Sequence, residues 1–278
     1  MIDYDKLMAR PFPDVKRHYS AQDAIRYARG FGAGRTSGSY IDEPFLQQDQ
    51  TRALPMIAVP LADGEFWQKD PDTGIDWQQI VHAEEALTVH KPIPAQGTVV
   101  ISQHIDEIYD RGPDKGAVMQ QKQFLHDGQG ELLATIDVTT ILKGNGGFGG
   151  KAYESTRLKM PEDCAPDAVI EIMTPKEEDA IFRLSADIKI SSRTGKDKAM
   201  MRGVGCFGTA GRAVLKLVCD NKPERLKRLG VRYVGPMYTD EIMRVELWHV
   251  GKGRAVFRMS ARGRDALVLN HSYVEFDE

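Results

Sequence analysis

The stretch that decides the fold begins as FRLSAD (residues 182–187) and continues, after a short gap, as MRGVGCFG (201–208) and GRAVL (211–215). From Gly203 to Cys219, apolar residues recur at helical spacing, which predicts a helix with one apolar face. These apolar positions are Val204, Phe207, Ala210, Val214, Leu217 and Val218. We expect the helix to cover a sheet, because an amphipathic helix must bury its apolar face against another layer.

One pattern of helix initiation occurs in both halves of the chain. Ser20 is followed by Asp23, and Thr174 is followed by Glu177. A hydroxyl residue with an acidic residue three positions later is typical of a capped helix N-terminus. The tripeptide Asp-Ala-Ile occurs on both predicted helices. This repetition indicates an internal duplication.

Strand-rich blocks follow in each half, separated by turn signals such as Asp127-Gly128 and Gly251-Lys252-Gly253. The blocks are residues 98–101, 118–124 and 132–142 in the first half, and 243–248, 255–259 and 266–276 in the second. Short connections of this kind predict antiparallel strands. Together with the helices they predict an α+β fold in which a helix lies on an antiparallel sheet, twice.

We predict an N-terminal repeat over residues 1–150, a linker over 151–167 and a C-terminal repeat over 168–278. The linker is polar and contains Pro161 and Pro166. In the N-terminal repeat, the apolar run Leu54–Leu61 is the segment expected to cover the sheet.

Composition excludes several classes of protein. A net charge of −3 and a pI of about 6.2 argue against a nucleic-acid-binding protein. Three irregularly spaced cysteines indicate free thiols in a reducing compartment. The sequence has no apolar run long enough for a transmembrane helix and no signal-peptide pattern, so we expect a cytoplasmic protein without membrane association.

The stretch quoted above resembles the signature of the MaoC-like, (R)-specific enoyl-CoA hydratases of the hydratase 2 family. In that family Y-R-L-S-G-D-x-N-P-L-H-x-D is followed by I-L-H-G-L-C-x-x-G-x-x-x-R-A-V. Four other segments are similar to the family's L-H-G-E, D-K-G, G-x-G-G-F-G-G and V-R-F motifs: residues 81–84, 109–112, 144–150 and 229–233. The resemblance covers nearly the whole chain and implies a double hot-dog fold.

The resemblance also implies a reaction. The family adds water reversibly to a trans-2-enoyl-CoA, as in fatty-acid β-oxidation, and gives a (3R)-3-hydroxyacyl-CoA. A CoA thioester is then the substrate, and no metal or redox cofactor is expected. Enolate formation requires a proton-transferring group and donors for the developing oxyanion.

Carried over from the family, Asp187 is the catalytic aspartate and Gly203 gives a backbone N–H to the oxyanion. Ser192 occupies the position of the family histidine, and Lys189 that of the asparagine. The segment between Asp187 and Gly203 is shorter than in the family. A serine hydroxyl cannot replace an imidazole that titrates near neutral pH.

The resemblance implies that a further set of residues binds the substrate or its CoA group. The set consists of His82, Ala83, Arg111, Lys115, Gly146, Gly147 and Tyr233. The glycine run 144–150 also matches a dinucleotide-binding pattern, which we reject because no helix is predicted directly after it.

Several alternatives stay open at the level of sequence. Asp187 can be an ordinary polar cap, the glycine run a flexible exit from a strand, and His82 a substitute general base. Arg202 replaces a family histidine and places a cation at a helix N-terminus, where it opposes the helix dipole. The chain could therefore instead be a catalytically degenerate acyl-CoA-binding or partner subunit. Either form could be a homodimer or a heteromer with a homologue.

Overall fold

The computed structural model describes residues 2–34, 40–155, 157–161, 163–174, 194–195 and 198–278. Four α-helices lie in these ranges: α1 (Tyr4–Met8), α2 (Ala21–Gly30), α3 (Ala58–Ala62) and α4 (Gly203–Val218). Short 3-10 turns occur at Tyr40–Phe45, Pro55–Ile57, Trp67–Lys69, Pro71–Thr73, Trp77–Gln79 and Pro223–Arg225.

The strands make one large sheet and one small ladder. The first half contains β1 (Val15–Tyr19), β2 (Ile80–Val89), β3 (Gly97–Asp110), β4 (Ala117–Asp127) and β5 (Leu132–Leu142). The second half contains β6 (Ala168–Met173), β7 (Thr194–Gly195), β8 (Lys198–Ala199), β9 (Leu226–Arg232), β10 (Ile242–Gly251), β11 (Arg254–Ala261) and β12 (Ala266–Phe276). The six predicted strand blocks are therefore confirmed as β3, β4, β5, β10, β11 and β12.

The large sheet has ten strands in the order β1-β3-β4-β5-β2-β9-β12-β11-β10-β6, and all of its neighbouring strands are antiparallel. The order is symmetric about the β2–β9 seam, because each half follows the same path outward from it. At the seam, Glu84 lies opposite Arg232 and Thr88 opposite Arg228. The topology confirms the α+β prediction.

The predicted capping box of α2 is present. The backbone N–H of Asp23 donates to Ser20 Oγ at 3.3 Å, and the backbone N–H of Ser20 donates to Asp23 Oδ2 at 2.9 Å. The corresponding helix start after Thr174 lies outside the described residues.

The core lies between the sheet and its helical cover. Phe207, Ala210 and Val214 on α4 are fully buried, as the helical spacing predicted. The predicted covering run Leu54–Leu61 is buried as well and belongs to the same apolar cluster. Arg212 of α4 forms a buried ion pair with Asp42, which ties α4 to the first half of the chain. These contacts hold α4 against the apolar core and the first half of the chain.

Candidate functional site

The N-terminus of α4 is the centre of the candidate site. Gly203 is the first helical residue, and no side chain caps the helix at Arg202. The first N–H groups of an α-helix have no partner within the helix, and the helix dipole favours negative charge there. A Cβ on Gly203 would lie 3.0 Å from His82 Nδ1 and 3.3 Å from the Tyr233 hydroxyl oxygen. Glycine therefore allows the helix end to approach both side chains.

His82 lies on β2, where the register with β5 shifts between His82 and Glu84. Its Nε2 is buried and has no hydrogen-bond partner within the described part of the chain. Its ring centroid is 4.9 Å from that of Tyr233. Burial lowers the pKa of His82 to about 4, although the nearby Asp63 carboxylate opposes the shift. His82 is therefore neutral at pH 7.

Glu85 and Tyr233 form a hydrogen-bonded pair beside His82. The Tyr233 hydroxyl oxygen lies 2.7 Å from Glu85 Oε2 and 3.1 Å from the Gly203 carbonyl oxygen. Glu85 is only 4% exposed. Burial raises the pKa of Glu85 to about 7, even though the Tyr233 hydrogen bond favours the charged form. Both protonation states of Glu85 are thus populated near neutral pH.

Glu85 is not among the site residues that the sequence predicts. The signal was present in the adjacent acids Glu84 and Glu85 of β2, because successive side chains of a strand point to opposite faces. One of two neighbouring acids in a central strand must then face the core. A buried carboxylate with a strongly shifted pKa is a common feature of functional sites.

Gly203, His82 and Glu85 line a cavity of about 190 Å³ on the helix side of the sheet. Asp63 and Arg202 also line it, and their charged groups approach to 3.6 Å. The cation at the N-terminus of α4 is thus accompanied by a carboxylate. The predicted residues His82 and Gly203 meet at this cavity, and Tyr233 contacts both.

Other predicted residues lie at a second cavity, of about 550 Å³. Ala83, Arg111 and Lys115 line it together with Arg157 of the predicted linker. His82 and Ala83 point to opposite faces of the sheet, as successive residues of a strand do. The bulge between His82 and Glu84 keeps Glu84 on the same side as Ala83. Arg111, Lys115 and Arg157 have no ion-pair partner among the residues that the structure describes, and Glu84 at the same cavity pairs with Arg232 at 3.2 Å.

The glycine loop is held by an aspartate. The carboxylate of Asp110 accepts hydrogen bonds from the N–H groups of Gly147 at 2.8 Å, Gly149 at 2.7 Å and Gly112 at 2.8 Å. Burial alone would raise the pKa of Asp110, but these N–H groups outweigh it and lower the pKa. A Cβ on Gly146 would lie 2.0 Å from the Gly112 carbonyl oxygen. The observed role of the loop is packing, and the contact of Gly146 and Gly147 with a ligand stays a prediction.

Asp187 and Ser192 lie outside the described residues, so their predicted roles stay predictions. Within the described ranges, no group of three or more His, Cys, Asp or Glu side chains could hold a metal ion. No helix there is long and apolar enough to cross a membrane.

Comparison with known proteins points to one family. Residues 18–144 match the family model of the MFE-2 hydratase 2 N-terminal domain. The chain is 25% identical to a probable enoyl-CoA hydratase 2 of Dictyostelium discoideum, over 97% of this chain and 95% of that protein. It is 27% identical to 3-hydroxyacyl-thioester dehydratase Y of Mycobacterium tuberculosis, over 93% of each chain.

A solved structure shows the same fold. The MaoC-like dehydratase of Phytophthora capsici superposes with a TM-score of 0.81 at 22% identity, over 99% of this chain and 98% of that one. This likeness and the symmetric ten-stranded sheet confirm the predicted double hot-dog fold. In sequence the chain is similar to proteins of the MaoC-like, hydratase 2 family.

Proposed function

We propose that the protein is an (R)-specific hydratase that adds water reversibly to a trans-2-enoyl-CoA and gives a (3R)-3-hydroxyacyl-CoA. The observation that carries the proposal is the N-terminus of α4, which reaches a cavity containing two buried titratable side chains, His82 and Glu85. The relatives named enoyl-CoA hydratase 2 and 3-hydroxyacyl-thioester dehydratase support the same reaction.

In this proposal the thioester carbonyl oxygen lies at the N–H of Gly203. Negative charge develops on that oxygen as the enolate forms, and helix N–H groups stabilise such charge. Asp187 orients the attacking water in this proposal, as its position in the family signature implies. Ser192 stands where the family has histidine, and its hydroxyl does not titrate in the physiological range.

The CoA group is proposed to lie at the second cavity. Arg111, Lys115 and Arg157 present three cations there, which suits phosphate groups. Ala83 lies at this cavity, and its neighbour His82 lies at the first one. The start of β2 is thus proposed to separate the CoA group from the acyl group. Tyr233, Gly146 and Gly147 are proposed as further residues that contact the substrate.

We also propose the division into repeats at residues 1–150 and 168–278 with a linker over 151–167. The symmetric strand order supports it, because the seam strands β2 and β9 fall in different repeats. The homodimer or heteromer expected from the sequence remains part of the proposal. A cytoplasmic location is proposed from the free thiols Cys164, Cys206 and Cys219, since reducing compartments keep thiols free.

A second function is a partner subunit that binds acyl-CoA without turnover. The replacements at Ser192 and Arg202 favour it, because both positions carry histidine in the family signature. Hydration of crotonyl-CoA by the purified protein separates the two functions. We expect measurable hydration that Asp187→Asn abolishes while the circular dichroism spectrum is retained. Binding of butyryl-CoA without any hydration would support the partner subunit instead.

The CoA position has its own test. Arg111→Ala and Lys115→Ala should each weaken butyryl-CoA binding several-fold at low ionic strength and less at high ionic strength, because salt screens exposed charges. Lys252→Ala, at the exposed turn between β10 and β11, is the matched control. Unchanged binding in both variants would move the CoA group away from the second cavity.

A further inference from the structure

We propose that Glu85 is the proton-transferring group of the cavity at α4 and takes over the role of the family histidine. The inference rests on the proposed hydratase function and names a residue for it. It starts from the replacement of that histidine by Ser192, which leaves the reaction without the group that exchanges a proton near neutral pH.

The position of Glu85 meets the first requirement, which is access to the reacting atoms. Its side chain lines the same cavity as His82 and the first turn of α4. Tyr233 holds its carboxylate at 2.7 Å and also contacts the Gly203 carbonyl oxygen at 3.1 Å. One bridging hydroxyl thus connects Glu85 to the helix end where the oxyanion is proposed to form.

The surroundings of Glu85 meet the second requirement, which is a usable proton affinity. Asp63, which follows α3, is an anion and disfavours a second negative charge. Neutral His82 lies on the same strand, and the neutral hydroxyl of Tyr27 on α2 faces Glu85. Arg202 lies nearby but is paired with Asp63. Burial among these groups places the pKa of Glu85 at about 7, which suits general acid–base catalysis at neutral pH.

His82 is a poor candidate for the same role. Its burial lowers its pKa to about 4, so it is neutral throughout the physiological range and a weak base. Its buried Nε2 lacks a protein partner in the described ranges, which suits a hydrogen bond to a water molecule or to the substrate. We therefore assign His82 to positioning and Glu85 to proton transfer.

The step balances with Glu85 alone. The Glu85 carboxylate takes a proton from water while the water oxygen forms a bond to C3 of the enoyl thioester. The electron pair of the C2–C3 double bond moves toward the thioester carbonyl, whose oxygen the Gly203 N–H stabilises. The enolate collapses and C2 takes the proton from the Glu85 carboxylic acid. The product is the 3-hydroxyacyl thioester, and the carboxylate is regenerated.

The test compares Glu85→Gln with the wild type in crotonyl-CoA hydration between pH 5 and 9. We expect the wild-type kcat/KM to rise with pH through about 7, because the carboxylate is the reactive form. Glu85→Gln should lower kcat/KM by about 10²–10⁴-fold, as loss of a general base does, and remove the pH-dependent limb. Glu85→Asp keeps a carboxyl group and should retain part of the activity, together with the rise of kcat/KM with pH.

Binding of butyryl-CoA, measured by calorimetry, separates catalysis from structure. We expect Glu85→Gln to bind it with an unchanged Kd. Glu107→Gln is the matched control, because Glu107 also accepts a hydrogen bond from a tyrosine, Tyr4, but lies outside the cavity. It should leave kcat/KM unchanged.

Three outcomes would overturn the inference. Full activity and an unchanged pH limb in Glu85→Gln would remove Glu85 from the mechanism while leaving the hydratase function intact. Loss of butyryl-CoA binding in parallel with turnover would show that Glu85 only maintains the shape of the site. An inactive wild type would overturn the hydratase function together with this inference.

Discussion

Two tyrosine–glutamate pairs in this molecule have the same hydrogen bond and opposite electrostatics. Tyr233 donates to Glu85 at 2.7 Å beside α4, and Tyr4 donates to Glu107 of β3 at 2.5 Å. Both glutamates are on strands and both are buried, at 4% and 9% exposure. Glu107 also forms an ion pair with Lys151 and accepts the Ile108 N–H at 3.0 Å.

The two pKa values move in opposite directions. Burial raises the pKa of Glu85 to about 7, because Tyr233 is its only hydrogen-bond partner within the described ranges and no cation compensates it. Burial also acts to raise the pKa of Glu107, but Lys151, Tyr4 and the Ile108 N–H outweigh it, so that pKa is lowered. Burial and one hydrogen bond therefore do not fix the charge of a carboxyl group. The other groups around the carboxyl, here Lys151, Tyr4 and the Ile108 N–H, decide the direction of its pKa shift.

The largest expected effect concerns the free energy of unfolding. The raised pKa of Glu85 means that the folded protein binds this proton more tightly than the unfolded chain. The resulting stability is complete below the ordinary value of 4.5 and is lost as the pH rises through about 7. Glutamine cannot ionise, so Glu85→Gln should gain up to about 3 kcal/mol over the wild type between pH 4 and pH 8. Urea unfolding across this range measures the gain, and a constant difference would show that Glu85 titrates normally.

The next effect is on turnover. The Tyr233 hydrogen bond lowers the pKa of Glu85, so Tyr233→Phe should raise that pKa above about 7. Less carboxylate is then present at pH 7, and kcat/KM should fall about tenfold for each pKa unit of the rise. The pH at which kcat/KM rises should increase by the same number of pH units as the pKa of Glu85. Tyr4→Phe is the control and should leave the profile in place.

A smaller effect of opposite sign is expected at the other pair. The lowered pKa of Glu107 contributes stability that is present above the ordinary carboxyl value of 4.5 and is lost as the pH falls through the lower folded value. Glu107→Gln should therefore destabilise the protein at pH 7 by about 1 kcal/mol. The effect is modest because Lys151, the ion-pair partner of Glu107, is largely exposed to solvent. The difference from wild type should shrink near pH 3. Thermal unfolding at both pH values measures it, and stabilisation at pH 7 would contradict the comparison.

The smallest effect tests the cation itself. Lys151→Met leaves Glu107 with its tyrosine and backbone hydrogen bonds but removes the ion pair. Lys151 is largely exposed, so we expect only a slight drop in Tm, and a smaller one at high salt. The pKa of Glu107, followed by NMR, should move toward that of Glu85. A pKa that stays low would show that the backbone and tyrosine hydrogen bonds suffice.

The strands and helices that carry strong local patterns could be predicted from the sequence. Residues 266–276 were predicted as a strand and form β12 with the same limits. The Ser20–Asp23 capping box is confirmed, and α4 forms where the helical spacing predicts it. The expectation of one apolar face is too narrow, because α4 is buried on all sides from Val204 to Leu215. These features depend on short-range periodicity and on side chains that satisfy nearby backbone groups. The bulge at Ala83 carries no such local signal. It keeps Glu84 at the cavity of Ala83, so that Glu85 returns to the cavity of His82.

The sequence by itself determined the repeated helix-on-sheet pattern, the resemblance to the hydratase 2 family and the glycine at the first turn of α4, because spacing and residue type suffice for these. The prediction that Ser192 stands at the position of the family histidine also comes from the sequence. Only the tertiary structure decided that Glu85 faces the cavity while Glu84 faces Arg232 on the other side of the sheet. The physical reason is that a carboxyl group's proton affinity depends on burial and on the charges around it. Those surroundings come from α2, α3, α4 and β9, which are distant in sequence.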